Sequence, residues 1–96
     1  MSFNIILRGF VEKLIDYELS PEKLARDHKF FESLKPAIKE RRDAIYGYII
    51  GAVTSKVEAF FIAQGRMATE ADIIEASDTI GIRYLEIKSR INETYT

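Results

Sequence analysis

A chain of 96 residues, 47% hydrophobic and 30% charged, has room for one domain around one core. Fourteen basic against fifteen acidic side chains leave a net charge of −1, which excludes the broad basic surface that non-specific nucleic-acid binding requires. The absence of cysteine excludes disulfides, cysteine zinc sites and thiol catalysis, and is consistent with a cytoplasmic location.

The opening stretch, MSFNIILRGF, lacks the basic start and continuous apolar run of a signal peptide, so none is expected. Phe3, Ile6, Leu7, Phe10, Val11, Leu14 and Ile15 recur at helical spacing and predict a first helix over residues 3 to 18. Ser20-Pro21-Glu22 is a helix start, with a capping serine, proline at the first helical position and an acid in the first turn. The second helix carries Leu24, Phe30, Phe31 and Leu34, and Pro36 restarts or kinks it. His28, in Arg-Asp-His-Lys, reads as a solvated surface residue. A long third helix is expected from about residue 37 to residue 63, stopped by Gln64-Gly65. Its first turns hold an exposed charge run, Lys39 to Asp43, then Tyr46 and Tyr48 as packing residues with their hydroxyls toward water. Thr69 with Asp72 three residues on forms a capping box, with Asp in the Glu position, and opens a fourth helix to about residue 92. No alternating run bounded by turn dipeptides predicts a strand. The expected class is all-α, a four-helix bundle in a single domain over residues 1 to 96. Only three Asn and Gln beside fourteen Ile point to a heat-adapted, thermophile source.

The third helix is apolar on every side. Ile38, Ile45, Ile49, Ala52, Phe60 and Ala63 share one face, and Ile50, Val53, Val57 and Phe61 another. Gly47, Gly51, Ser55 and Ala59 make a third strip, with Glu58 beside it. Lys56 and Glu58 interrupt the run too early for a membrane span, so no membrane insertion is expected. A helix apolar all round is central to a core or shared between subunits, which predicts a homodimer or homotetramer. A carboxylate in such a groove needs a counter-charge. Arg41, Arg42, Arg66 and Arg83 are candidates, and so is a divalent cation shared with Glu75 and Asp78.

On the fourth helix, Ile73, Ser77, Ile80, Tyr84, Ile87 and Ile91 form the expected core stripe. Gly81, Ile74, Leu85, Ala71 and Ile82 continue the apolar arc, while Asp72, Thr79, Arg83, Glu86 and Arg90 take the polar side. Asp78 falls inside the apolar arc and Glu75 at its edge. Being three apart, their side chains can converge on one spot.

The stretch SKVEAFFIA, followed by EASDTIGIRYLEI, resembles the all-α NTP pyrophosphatase superfamily, which includes MazG-type enzymes, dimeric dUTPases and phosphoribosyl-ATP pyrophosphatases. The family pattern is Glu-Glu-x-x-Glu on one helix and Glu-x-x-Asp on the next. Glu75-Ala76-Ser77-Asp78 matches the second half. Of the first half Glu58 alone is acidic, with Thr54 and Ser55 at the other two carboxylate positions. A second Glu-x-x-Asp occurs at Glu40 to Asp43. The resemblance covers roughly residues 44 to 92. It implies Mg²⁺ held by Glu58, Glu75 and Asp78, and hydrolysis of a nucleoside triphosphate to monophosphate and pyrophosphate. Lys56 or Arg83 would then meet phosphate oxygens. A helical structural or protein-interaction module of the same fold, with the site lost, is the non-enzymatic alternative.

Overall fold

The computed structural model describes residues 3–35 and 37–95, and all regular structure among them is helical. The chain runs α1 (Phe3–Glu18), α2 (Pro21–Glu32), α3 (Arg41–Ala63), α4 (Glu70–Ile82) and α5 (Tyr84–Tyr95). Pro36 and the side chain of Phe3, both given roles above, lie outside the described residues.

The helix ends follow local chemistry. The Ser20 hydroxyl accepts from the Lys23 amide, and Pro21 occupies the first turn of α2. The α3 terminus is a Schellman turn. Gly65 adopts φ +82°, its amide bonds the Ile62 carbonyl, and the Arg66 amide reaches back to Phe61 at 3.1 Å. The Arg66 guanidinium then lies 4.5 Å over the Phe61 ring. The Thr69–Asp72 capping box forms in both directions, at 2.9 and 3.2 Å. Its carboxylate also accepts from Arg66 at 3.0 Å.

α3 is the axis of the fold. Its fully buried row, Ile45, Ile49, Val53, Val57 and Phe61, meets Leu7, Val11 and Ile15 of α1, Leu24 of α2, Ala76 and Ile80 of α4, and Ile87 and Ile91 of α5 in one core. α4 packs chiefly on α1, whereas α5 packs on α2 and α3. The envelope is 44 × 22 × 20 Å.

Three expectations change. α3 begins at Arg41 rather than near residue 37, because turns follow α2, with the Ala37 amide on the Leu34 carbonyl. The expected fourth helix is two. At Arg83 the amide bonds Ile80 in a tight turn, while the guanidinium is drawn to α1 through Asp16 at 2.7 Å and the Glu12 carbonyl at 3.2 Å. His28 is buried rather than solvated, with Nε2 3.0 Å from the Ile91 carbonyl, which ties α2 to α5. Its polar sequence neighbours concealed that role.

Candidate functional site

Asp72, Thr79 and Arg83 stand on the side of α4 that faces the rest of the fold. Asp72 is buried by its cap and Arg66; the Thr79 hydroxyl is buried and donates to the Glu75 carbonyl at 3.0 Å. Arg83 is clamped between Asp16 of α1 and Glu86, each at 2.7 Å. These residues were expected on the solvated side. That side instead faces inward, with Arg83 tied to α1, so much of the expected apolar arc points outward. Ile82 is 78% exposed and Leu85 76%, with Ile73 and Ile74 also uncovered. The Asp72 carboxyl lies below the usual carboxylate range, chiefly because the Thr69 amide donates to it and then because of Arg66. Glu86 is lowered by its bond to Arg83, and the Arg83 guanidinium is raised by Glu86 and Asp16 against the effect of burial.

In this arrangement the three acids are dispersed. Glu75 turns to α1, where its carboxylate takes the Arg8 guanidinium at 2.7 Å. Asp78 is exposed, and so is Glu58; neither has an ion pair among the described residues. Among those residues no three His, Asp or Glu side chains come close enough to share a metal ion. Within one chain, Glu58, Glu75 and Asp78 therefore do not form the Mg²⁺ ligand set that the resemblance implies. Glu58 is not packed into a tight groove and needs no counter-charge, because water solvates it. Of its suggested partners, Arg41 binds Glu32, Arg66 binds Asp72 and Arg83 binds Asp16.

What Glu58 does border is apolar. With Ile62, Met67, Ala68 and Ile73 it lines a cleft of about 280 Å³ between α3 and the start of α4. A second cleft, of about 160 Å³, is lined by Ile50, Thr54, Val57, Ile73, Ala76, Ser77 and Ile80. Ile73 lines both, so the two clefts adjoin one another along α3 and α4. Ile62 (68% exposed) and Met67 (83%) stand at its end. Beside it on α3, Gly47, Gly51, Ser55 and Ala59 are all exposed. A Cβ built on Gly47 or Gly51 would meet nothing within 4 Å. Each glycine costs a helix interior about 1 kcal/mol relative to alanine, and among the described residues no contact accounts for that cost, as is also true of Gly9 and Gly81.

The other flank of α3 carries an ion-pair network beside a wider, open cleft of about 440 Å³, lined by Tyr17, Lys23, Arg26, Asp27, Phe30 and Tyr48. Lys23 of α2 reaches both oxygens of Asp27, at 2.8 and 2.9 Å, and Glu18 at 3.1 Å; Lys56 of α3 reaches the second Glu18 oxygen at 3.3 Å. The Glu18 side chain is only 2% exposed. Tyr48 lies under Lys23 and Tyr17 under Lys56, each ring 4.7 Å from the ammonium. Burial alone would lower the Lys23 pKa, but the bonds to Asp27 and Glu18 outweigh it and raise the value. The acids of this network are balanced by lysines of the same chain, which leaves the network no evident need for an outside ligand. Sequence reading missed it because Glu18, Asp27 and Lys56 sit far apart in ordinary polar contexts.

By length and composition alone α3 is apolar enough to cross a membrane, although its central row forms the core here. No family model, curated protein or solved structure matches the chain. The functional reading therefore rests on the geometry of the chain itself.

Proposed function

We propose that the chain is a non-enzymatic helical interaction module that docks a partner protein through the groove and small-residue strip of α3 and α4. The exposed apolar side chains Ile62, Met67 and Ile73 at the cleft, with Ile74, Ile82 and Leu85 exposed elsewhere on α4 and α5, carry this reading. Contiguous apolar surface rimmed by polar residues is costly to leave in water and marks protein contacts. Here Glu58 supplies a polar edge to the cleft.

The Mg²⁺-dependent hydrolysis suggested by the resemblance makes a different demand. It needs Glu58, Glu75 and Asp78 on one ion, which requires breaking the Arg8–Glu75 pair and redirecting two solvated carboxylates. Two measurements separate these readings. The first incubates the purified chain with each nucleoside triphosphate and millimolar Mg²⁺, and records pyrophosphate release and the melting temperature. The module yields no pyrophosphate above blank and no Mg²⁺-dependent shift, whereas a metal site would stabilise the folded state by mass action. Release that disappears in Asp78→Ala would reinstate the hydrolase. The second measures anilinonaphthalene sulfonate fluorescence at low protein concentration. The native fold is expected to bind the dye, and Ile74→Glu with Ile82→Glu to abolish binding while leaving helicity unchanged.

A further inference from the structure

We infer that the cleft on the α1–α2 flank docks a proline-rich segment of another protein, held in polyproline II conformation with an acidic side chain against Arg26. The inference is independent of the α4 face and starts from where the aromatic rings lie. Among the described side chains four aromatic residues are exposed, Tyr17, Phe30, Tyr48 and Tyr84. The first three come from α1, α2 and α3 and line this one cleft of about 440 Å³. They are 50%, 58% and 45% exposed, yet they are braced. Phe31 meets the Phe30 and Tyr48 rings edge-on, at 5.3 and 5.7 Å between centroids. Lys56 rests on Tyr17 and Lys23 on Tyr48. Half-wet aromatic rings in a fixed setting are the usual anchors of a recognition surface.

Three features select the occupant. The first is spacing. The steps of 5.3 and 5.7 Å through Phe31 place Phe30 and Tyr48 within about 11 Å of each other, and one turn of polyproline II is about 9 Å long. Prolines three residues apart lie on one edge of that helix, so each of these two rings can take one. The second is shape and hydrogen bonding. An open cleft suits an extended chain lying along it, whereas a small molecule is normally enclosed over most of its surface. The Tyr17 and Tyr48 hydroxyls bond no other described residue and can donate to peptide carbonyls, which polyproline II leaves without internal partners.

The third is charge. Asp27 is held by Lys23, and Glu18 by Lys23 and Lys56, so the buried acids are answered within the chain. Arg26 lines the cleft, is exposed, and makes no ion pair or hydrogen bond among the described residues. Glu22, one turn earlier on α2, does not line the cleft. The unanswered charge is therefore positive and calls for a carboxylate on the ligand. A cationic segment would meet Lys23 and Arg26. A single-stranded nucleic acid would need a basic groove along its backbone, not one free arginine.

Fluorescence anisotropy with the full chain and a fluorescein-labelled peptide, Glu-Pro-Pro-Ala-Pro-Pro-Ala-Pro-Glu, tests this. The wild type is expected to bind it saturably below about 1 mM. Phe30→Ala is expected to weaken binding by about 10-fold or more, as loss of an aromatic anchor does. Arg26→Glu is expected to weaken it by a similar factor and to prefer the same peptide with Lys in place of Glu, a reversal that misfolding cannot produce. Both side chains stand in water, so helicity and melting temperature should match wild type. A peptide with Ala for every Pro is expected to bind at least about 10-fold more weakly, having lost both the rings and the preformed helix.

No saturation at millimolar peptide, undiminished binding by Phe30→Ala or Arg26→Glu, or equal binding of the alanine peptide overturns the inference. Tighter binding of oligothymidylate, weakening with salt, also overturns it and gives the cleft to single-stranded nucleic acid. Ile74→Glu with Ile82→Glu should leave peptide binding unchanged. Loss of binding there would put the peptide on the α4 face and overturn the assignment to this cleft, while leaving the docking reading above in place.

Discussion

The two flanks of α3 are built from the same helix yet solve opposite problems. On the α1–α2 flank, two carboxylates with little access to water, Glu18 and Asp27, are matched by Lys23 and Lys56, whose ammonium groups rest on Tyr48 and Tyr17. On the α4 flank, the side chains are apolar or small and the groove is open to water. Both flanks are open to water, with the larger cleft on the first; the first pairs its buried charges within the chain, whereas the second leaves apolar side chains exposed. Residue type alone thus does not identify the working surface, because what matters is whether the chain can satisfy each group by itself. The α1–α2 flank does so for its buried charges, whereas the α4 flank has no covering element.

The contrast can be broken most forcefully at Lys23. Lys23→Met strips Asp27 of its cation and leaves Glu18 with the half-exposed Lys56, and removing one partner of a buried ion pair costs about 3–5 kcal/mol. Urea unfolding should show a loss of this size; a loss below about 1 kcal/mol would mean that water reaches the network and that the two flanks are less different than described.

Gly65→Ala tests the turn that carries the chain from α3 to α4. A side chain at φ +82° costs about 1–2 kcal/mol, read as a lower urea midpoint at constant slope. Thr69→Ala removes the cap at the start of α4 and should cost about 1 kcal/mol, read in the same urea titration.

The pH limits of stability also differ by region. The Lys23 pKa is raised in the folded state, so its contribution is fully present below the unfolded value of 10.5 and is lost as pH climbs through the folded one. Asp72 is lowered, so its contribution is present above the unfolded value of 3.8 and is lost as pH falls through the folded one. Circular dichroism melts across pH should therefore show Lys23→Met flattening the alkaline limb and Asp72→Asn the acid limb.

The smallest effect belongs to the open face. Leu85→Ser should change monomer stability by less than about 0.5 kcal/mol, since the side chain is already in water. A larger loss would mean that the fold covers this residue after all.

Some of this architecture was legible from residue spacing. The start of α2 at Ser20-Pro21, the stop of α3 at Gln64-Gly65 and the Thr69–Asp72 box follow from hydrogen bonds closed within a few residues, which are local and therefore visible in the chain. The face of α4 was not legible. Ile73, Ile74, Ile82 and Leu85 read as core because apolar periodicity reports which side avoids water, without saying whether this chain or another covers it. The convergence of Glu75 with Asp78 failed for a related reason: spacing allowed the two carboxylates to meet, but Arg8, sixty-seven positions away, captured one of them.

Sequence alone determined that the chain is helical, where α1, α2 and α4 begin and where α3 stops, because each depends on interactions spanning a turn or two. Tertiary structure alone decided the break at Arg83, the burial of His28 and Asp72, the scattering of Glu58, Glu75 and Asp78, and the side of α3 left uncovered. Those outcomes depend on competition among charged and apolar groups brought together from distant parts of the chain, as when Arg83 is drawn to Asp16 of α1 and Glu75 to Arg8.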